Sequence, residues 1–319
     1  MSPTAKASDE TFEPPRVLFA RNARPSRRRL GQPRLLIVGC GDIGIRIVAR
    51  LRDRFRIFGT VANPANADAV RANGAVPMLL DLDQGNASSR IRAVARRVII
   101  LAPTSPQGSR DMRARRLLRL LGHAAGARML YLSTSGVYGN RNGAWTDEST
   151  PPMPVSERAQ RRLDAELLLR ASSWHAAVLR VPGIYGPERL PIDRLRRAVP
   201  VPLAGQDVIT NHIHADDLTR ACIAALFRAA PTRIYNVVDD SQLYLGQYLD
   251  RVADSMGLPH PPRVSWDELR AAAGEQRMSF LGESRRLQNV RMKRELRVRL
   301  QFPDVDAGLT AMGRQSSSG

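Results

Sequence analysis

The sequence has little cysteine and no long apolar run. Its two cysteines, Cys40 and Cys222, lie far apart and outside any metal-ligand spacing, which argues against a disulfide framework and a zinc site. No apolar run reaches the roughly 20 residues of a membrane-spanning helix, and no apolar segment near the N-terminus indicates a secretory signal. We therefore expect a cytoplasmic protein with reduced thiols and no membrane partner.

Lysine and aromatic residues are also scarce. Lys6 and Lys293 are the only lysines, so arginine carries nearly all of the formal net charge of +19. No contiguous basic stripe carries the interleaved aromatic residues on which bases stack, so we expect a solvated basic surface and no nucleic-acid partner. Residues 1–33, rich in proline, serine and arginine, are predicted to form a disordered basic tail.

The rest of the chain alternates short apolar runs with helical patterns. Near-continuous apolar strands separated by helices predict a parallel sheet covered on both faces, which is a Rossmann-type, doubly wound α/β fold. The seven predicted strands are residues 35–39, 55–61, 76–82, 97–103, 128–134, 176–183 and 233–239.

The first predicted strand runs directly into a glycine motif, Gly39-x-Gly41-x-x-Gly44. The first glycine permits a tight turn, the second lets the backbone approach a pyrophosphate, and the third allows close helix–strand packing. The following helix N-terminus offers unpaired N–H groups to phosphates. The motif therefore predicts dinucleotide binding, with Asp42 and Ile43 in the phosphate loop.

The second strand lacks the acidic residue that would bind the ribose 2′-hydroxyl of NAD at its end. Residues 61–63 are Val, Ala and Asn, and Arg71 is the nearest cation for a 2′-phosphate. NAD and NADP both remain candidates, with NADP slightly favoured. Asp81 and Leu82, after the third strand, either hold the adenine ring or belong to an ordinary loop.

Small hydroxyl residues, Ser133 to Ser135, end the fifth strand, where ligands bind in such folds. With the glycine motif they begin a series that resembles an extended short-chain dehydrogenase/reductase of the NAD-dependent epimerase/dehydratase type. The resemblance implies an NAD(P)-binding oxidoreductase or epimerase/dehydratase for a nucleotide-sugar or a small carbonyl or alcohol. It also implies that Thr134 is catalytic and that Ala102, Pro103 and Pro182 contact the cofactor. The matching motifs are GCGDIG, DLD at 81–83, STSGVYG at 133–139, WTDESTPP at 145–152, LRVPGIYGP at 179–187, NHIHADDL at 211–218 and IYNVVDD at 234–240.

The resemblance fails at the family's Tyr-x-x-x-Lys pair. In that pair the tyrosine phenol transfers a proton, and the lysine lowers the pKa of the phenol and binds the cofactor ribose. A glutamate commonly follows this lysine by four residues. Aligning it with Glu166 places Arg162 at the lysine position and Arg158 at the tyrosine position. Arg162 can still contact ribose hydroxyls, whereas Arg158 cannot shuttle protons near neutral pH. The chain is therefore an atypical member.

Three accounts of this loss remain open. The protein is an enzyme with another acid/base, for which Tyr138, Tyr185 and His214 are candidates, although both tyrosines can equally be packing residues. Alternatively, it is a redox-inactive NAD(P)-binding sensor or regulatory scaffold. Thirdly, it catalyses a hydride transfer that needs little proton transfer. A substrate lobe and Thr134 favour an enzyme.

His212 and His214 share one face of a predicted strand, but no further side chain completes a metal site. We expect no metal, and we expect His214 to join a hydrogen-bond network. Asp216 and Asp217 are predicted to cap a helix that starts near Leu218.

Residues 34–186 are predicted to form the NAD(P)-binding domain, and residues 211–240 are predicted to return to its sheet. The remainder of 187–319 is predicted to form a smaller C-terminal substrate lobe. Its arginines either bind an anionic small-molecule substrate, such as a nucleotide-sugar, or line a solvated basic helix. Substrate identity and a homodimer both stay open.

Overall fold

A computed structural model describes residues 31–84, 91–92, 94–271 and 282–316, with the backbone alone for 314–316. Nearly all of the predicted basic tail lies outside these residues. Within them, no helix is both long and apolar enough to cross a bilayer.

The strands and helices alternate as the sequence predicts. In chain order the strands are β1 Arg34–Val38, β2 Arg56–Val61, β3 Val76–Leu79, β4 Arg97–Ile100, β5 Arg128–Thr134, β6 Trp145–Thr146, β7 His175–Val181, β8 Gly183–Tyr185, β9 Val201–Pro202, β10 Ile209–Thr210, β11 His212–His214, β12 Ile234–Asn236, β13 Leu243–Tyr244, β14 Arg263–Val264 and β15 Arg286–Leu287. The helices are α1 Asp42–Leu51, α2 Ala67–Ala72, α3 Met112–Leu121, α4 Glu157–Arg170, α5 Ile192–Arg196, α6 Ala215–Arg228, α7 Leu245–Met256, α8 Val290–Glu295 and α9 Val305–Ser316.

A seven-stranded sheet forms the centre of the fold, in the order β12-β7-β5-β4-β1-β2-β3. Every neighbouring pair in it is parallel. Each of the seven predicted strands supplies one strand of this sheet. From β1, the strands β2 and β3 follow on one side, and β4, β5, β7 and β12 follow on the other. The Rossmann-type, doubly wound fold is therefore confirmed. The carboxyl ends of β1, β4, β5 and β7 lie along one edge, where such sheets bind ligands.

Successive residues of β1 face opposite sides of the sheet, as the period of a strand requires. Leu35 and Ile37 pack in a buried cluster with α1 and α6. Leu36 and Val38 pack in a second cluster with α3 and α4. The near-continuous apolar sequence of the strand reflects this burial on both faces.

The C-terminal half adds short two-stranded ladders, β8–β11, β10–β13, β9–β14 and β6–β15. A separate buried cluster joins α5, α7 and α9. Within residues 211–240, β12 pairs with β7 of the central sheet, whereas β11 pairs with β8.

The predicted start of the helix near Leu218 is wrong, because α6 already begins at Ala215. His214 caps it, since its Nδ1 accepts a 3.2 Å hydrogen bond from the Asp216 amide. Asp217 instead accepts hydrogen bonds from backbone amides that follow α8. An imidazole at this position therefore provides the cap that the sequence predicts for Asp216 and Asp217.

Candidate active site

The glycine motif turns β1 directly into α1. Gly39 has a φ of 81°, and a Cβ there would lie 2.7 Å from the Ala102 backbone, so only glycine fits. A Cβ at Gly44 would lie 3.1 Å from the Cys40 sulfur, which reflects close helix–strand packing. At Gly41, by contrast, a Cβ would meet no described protein atom within 4 Å. This open space lies where the motif predicts the pyrophosphate.

The first turn of α1 has no side-chain cap, which leaves its N–H groups available to a phosphate. Asp42 lies in this turn, but its carboxylate accepts hydrogen bonds from Arg46 at 2.8 Å and Arg189 at 2.7 Å. Burial alone would raise the pKa of Asp42, but these hydrogen bonds hold it below its ordinary value. The two guanidiniums therefore offset a charge that would repel a phosphate, and Arg189 ties the segment after β8 to the glycine motif.

The end of β2 is open and carries no carboxylate. Ala62 and Asn63 follow the strand and are exposed. The Asn63 side chain accepts a 3.0 Å hydrogen bond from the Ala65 amide and so caps the next turn. Arg71, the nearest predicted cation for a 2′-phosphate, pairs with Asp68 on α2.

The residues predicted to hold the adenine and to contact the cofactor follow β3 and β4 at the carboxyl edge of the sheet. Asp81 closes its own loop, because its Oδ1 accepts a 2.8 Å hydrogen bond from the Asp83 amide. Leu82 is buried beside it. Ala102 and Pro103 follow β4, and the Ala102 amide donates to the carbonyl of the last residue of β1 at 3.0 Å.

The hydroxyl residues at the end of β5 face two different environments, the protein interior and a cavity. Ser133 donates to the buried Glu166 carboxylate at 2.5 Å and so faces the interior. Thr134 ends the strand, and its Oγ1 accepts a 3.2 Å hydrogen bond from the Gly136 amide. Thr134 and Ser135 line a cavity at the carboxyl edge of the sheet.

Helix α4 carries Arg162 and Arg158, which the alignment on Glu166 assigns to the positions of the family pair. Arg162 Nη1 donates to the Tyr131 hydroxyl at 3.0 Å and to the Leu132 carbonyl at 2.8 Å, so it is held against β5. Burial raises the pKa of Tyr131 to about 12. Arg158, one turn earlier, lines the cavity with Thr134. Burial and the neighbouring arginines lower the pKa of Arg158, with Glu283 acting in the opposite direction.

Glu166, on α4, does not line the cavity. It is fully buried, and Arg180 donates to its carboxylate at 2.7 Å. The Arg180 guanidinium lies 4.6 Å from the centre of the Tyr138 ring. Glu166 therefore belongs to a buried ion pair that joins α4 to β7.

The three acid/base candidates predicted from the sequence do not line the cavity. Tyr138 is fully buried and donates to Asn236 at 2.8 Å, and burial raises its pKa. Tyr185 is also fully buried, donates to the Asp304 carbonyl at 3.0 Å, and has a pKa that burial raises. His214 is buried at the cap of α6, and burial lowers its pKa. Each of these side chains has a structural partner in place of a substrate.

His212 shares this packing role. Its ring stacks on Tyr248 with 3.8 Å between ring centres, and burial lowers its pKa to about 3. Among the residues that the structure describes, no group of three histidine, cysteine or acidic side chains is arranged to hold a metal.

The cavity beside Thr134 has a volume of about 340 Å³, within the range of small-molecule sites. Pro182, which follows β7, lines it as well. Three arginines and one glutamate make its wall positively charged. Its polar lining residues are Thr134, Ser135, Ser156, Arg158, Arg194, Thr210, Asn211, Glu283 and Arg285.

Glu283 was not predicted from the sequence, whereas Arg285 belongs to the C-terminal arginines, for which binding of an anionic substrate and a solvated basic helix both remained open. Both residues lie on the segment that leads into β15, far along the chain from α4. Arg285 Nη1 donates to Glu283 at 2.8 Å and to the Gly139 carbonyl at 2.7 Å. Neither residue belongs to a motif, so only the fold reveals that they join Thr134 and Arg158.

Comparison with known proteins decides the family. A family model for the NAD dependent epimerase/dehydratase family matches residues 43–237. The chain belongs to this family. Membership in an NAD-dependent family supports a nicotinamide dinucleotide as the cofactor, and the open phosphate loop at Gly41 fits such a group. The family's tyrosine and lysine positions, as aligned on Glu166, hold arginine.

The chain also resembles individual proteins. A conserved protein of unknown function from Silicibacter pomeroyi is 31% identical, with a TM-score of 0.75 over 89% of this chain and 99% of that one. UDP-glucuronic acid 4-epimerase from Bacillus cereus, solved with NAD, is 17% identical with a TM-score of 0.69 over 89% and 99% of the chains, and shares the fold.

Human dTDP-D-glucose 4,6-dehydratase is 28% identical over 123 residues, which are 34% of this chain and 35% of that protein. The match therefore spans about a third of the length of this curated relative.

Proposed function

We propose that the protein is a cytoplasmic NAD(P)-dependent oxidoreductase of the epimerase/dehydratase type. Its substrate is an alcohol or carbonyl on an anionic small molecule, such as a nucleotide-sugar. The observation that carries this proposal is the shared cavity of Thr134 and Arg158, at the sheet edge that also holds the glycine motif. The similarity to a dTDP-D-glucose dehydratase supports a nucleotide-sugar.

The bound cofactor would accept or donate the hydride. Thr134 would donate a hydrogen bond to the substrate oxygen. Arg158, a permanent cation, would stabilise negative charge that develops on that oxygen, as a fixed donor does in an oxyanion hole. Arg194 would bind the anionic part of the substrate, because guanidiniums pair well with carboxylates and phosphates.

The cofactor itself would be held by the glycine motif and its surroundings. The amides of Asp42 and Ile43 would face the pyrophosphate, and Asp81 and Leu82 would flank the adenine. Arg162 would contact the nicotinamide ribose. Because no acid follows β2, we propose weak discrimination between NAD and NADP, with NADP slightly preferred.

A redox-inactive NAD(P)-binding sensor is the second candidate function. The observation that favours it is Arg158, which lines the cavity, is aligned with the family tyrosine and cannot transfer a proton near neutral pH. Calorimetry with NAD⁺ and NADP⁺, followed by assays of NAD(P)H formation on a panel of nucleotide-sugars and simple alcohols, separates the two. Turnover supports the enzyme. Tight cofactor binding without turnover on any member of the panel supports the sensor.

A further inference from the structure

Glu283 is the one side chain among the described cavity-lining residues that can exchange a proton with a substrate. The other polar groups of the cavity are hydroxyls, an amide and arginines, which do not shuttle protons near neutral pH. We propose that Glu283 exchanges the proton with the substrate oxygen held by Thr134, in place of the tyrosine that the chain lacks. This inference rests on the proposed enzymatic function.

The position of Glu283 fits this role. Its carboxylate lies near enough to Arg158 to raise the pKa of that guanidinium against the effect of burial. Arg158 occupies the turn of α4 from which the family tyrosine would act. Glu283 and Thr134 line the same cavity. A carboxylate from the segment before β15 therefore faces the place that the missing phenol would occupy.

The backbone beside Glu283 is held from several directions. The Ser284 amide donates to Asn140 at 3.0 Å, and its carbonyl accepts from the Arg141 amide at 2.9 Å. Its hydroxyl accepts from the Ile209 amide at 3.1 Å. Because the backbone next to Glu283 is fixed, orienting the carboxylate during catalysis costs less entropy.

Arg285 orients the carboxylate itself. The Glu283 side chain is 13% exposed, and its Oε2 accepts the 2.8 Å hydrogen bond from Arg285. Arg285 also donates to the Gly139 carbonyl at the end of the turn after β5. Arg285 is therefore a positioning residue that links the carboxylate to the strand carrying Thr134.

In the oxidative direction, the substrate alcohol gives up one hydride and one proton. The carbon-bound hydrogen of the alcohol leaves as hydride to oxidised NAD(P), and the hydroxyl proton passes to the Glu283 carboxylate. The products are a carbonyl, reduced NAD(P) and the Glu283 carboxylic acid, which then releases its proton to solvent. In the reverse direction the carboxylic acid protonates the oxygen as hydride arrives. Arg158 stabilises the negative charge on the oxygen between these events.

The test compares Glu283→Gln, Glu283→Ala and the control Glu268→Gln, an exposed glutamate outside the cavity, with the full-length wild type. We expect Glu283→Gln to lower kcat at least about 100-fold, the usual scale of general acid–base catalysis. The pH dependence of kcat should flatten, while NAD⁺ affinity by calorimetry and the melting temperature stay near wild type. Added formate should restore activity to Glu283→Ala and leave the wild type unchanged, because a small carboxylate can replace the missing one.

Two results would overturn the inference in distinguishable ways. If the wild type turns over its substrate and Glu283→Gln keeps both kcat within threefold and the same pH profile, Glu283 is not the proton-transfer group, although the proposed function stands. If the wild type binds NAD⁺ but turns over no member of the panel, the enzymatic function fails and the Glu283 inference fails with it.

Discussion

Arg162 donates a 3.0 Å hydrogen bond to the hydroxyl of Tyr131, and so the cation that we align with the family lysine is bound to β5. The same nitrogen donates to the Leu132 carbonyl. A guanidinium reaches these acceptors and still presents further N–H groups in a fixed plane. Arg158, one turn earlier on α4, is left facing the cavity. Two arginines therefore lie on the face of α4 next to the carboxyl edge of the sheet, one bound to β5 and one lining the cavity.

Restoring the family pair should create a titrating phenol. In Arg158→Tyr with Arg162→Lys, the two new side chains share one helix face, and the ammonium should lower the pKa of the phenol. We expect new dehydrogenase activity on an alcohol or nucleotide-sugar, or a new titration between roughly pH 6 and 9. Stopped-flow assays of NAD(P)H formation measure this gain.

Adding Thr134→Ala to that double variant should remove the gain, because the substrate oxygen would lose its second hydrogen-bond partner. A folded double variant that binds cofactor and stays silent at every pH would show that the cavity is not built around this chemistry.

Gly41→Val should separate cofactor binding from folding. A side chain here meets no described protein atom within 4 Å, so the fold should survive, but the methyl groups would fill the space of the pyrophosphate. We expect NAD⁺ affinity to fall at least tenfold, which corresponds to about 1.4 kcal/mol. Gly205→Val is the matched control, since a Cβ there also meets nothing within 4 Å. Calorimetry showing equal NAD⁺ binding by both folded variants would refute the assigned phosphate loop.

Ala62 should set the choice between NAD and NADP. This exposed residue directly follows β2, where an acid would bind the ribose 2′-hydroxyl. In the wild type we expect less than about 100-fold discrimination, or about 2.7 kcal/mol. Ala62→Asp should shift the preference toward NAD and Ala62→Arg toward NADP. Titrations in which neither variant changes the ratio of the two dissociation constants would contradict this placement of the ribose.

Breaking the Glu166–Arg180 ion pair should destabilise the fold strongly. Glu166 is fully buried, and Glu166→Gln leaves the Arg180 charge inside the protein without a counter-charge. The expected loss is about 3–5 kcal/mol in the free energy of unfolding. Urea denaturation measures it, and the double variant Glu166→Leu with Arg180→Met should recover most of the loss. A change below about 1 kcal/mol would show that the pair is not buried as described.

Asp239 should make stability depend on pH. It is buried, its second oxygen has no hydrogen-bond partner among the described residues, and burial raises its pKa to about 8. The unfolded chain releases this proton near pH 4, so between about pH 4 and 8 the folded state binds more protons. Stability from this group is therefore greatest at low pH and is lost as the pH rises toward 8.

Asp239→Asn, which cannot ionise, should remove this loss. Compared with the wild type, the variant should become progressively more stable as the pH rises from 4 to 8, as measured by urea unfolding at each pH. A constant difference between the two proteins over this range would mean that Asp239 is ionised in the folded state throughout.

The sequence predicted the central sheet well because local patterns determine it. Each buried strand leaves an apolar run, and the glycine motif identifies the first turn by itself. Thr134 could be predicted because it belongs to a contiguous motif at a strand end. The structure places Thr134 and Arg158 in one cavity, and their roles stay predictions.

The remaining part of the site depends on contacts between distant segments. Glu283 and Arg285 lie in no motif and reach the cavity through the pairing of β15 with β6. Tyr138 and Tyr185 looked like acid/base candidates because a sequence shows the hydroxyl and not its burial. The start of α6 was misplaced because a histidine, rather than an aspartate, accepts the capping hydrogen bond.

The most direct test of the account follows the hydride itself. Wild-type protein is incubated with NADH or NADPH deuterated at the nicotinamide C4 position and a panel of keto-sugar nucleotides and simple carbonyl compounds, and the products are analysed by mass spectrometry. Our account predicts that deuterium appears in at least one product and that Thr134→Ala, with unchanged cofactor affinity, abolishes the transfer. Retention of all deuterium on a tightly bound cofactor, with every member of the panel, would contradict the account and identify the protein as a redox-inactive NAD(P)-binding sensor.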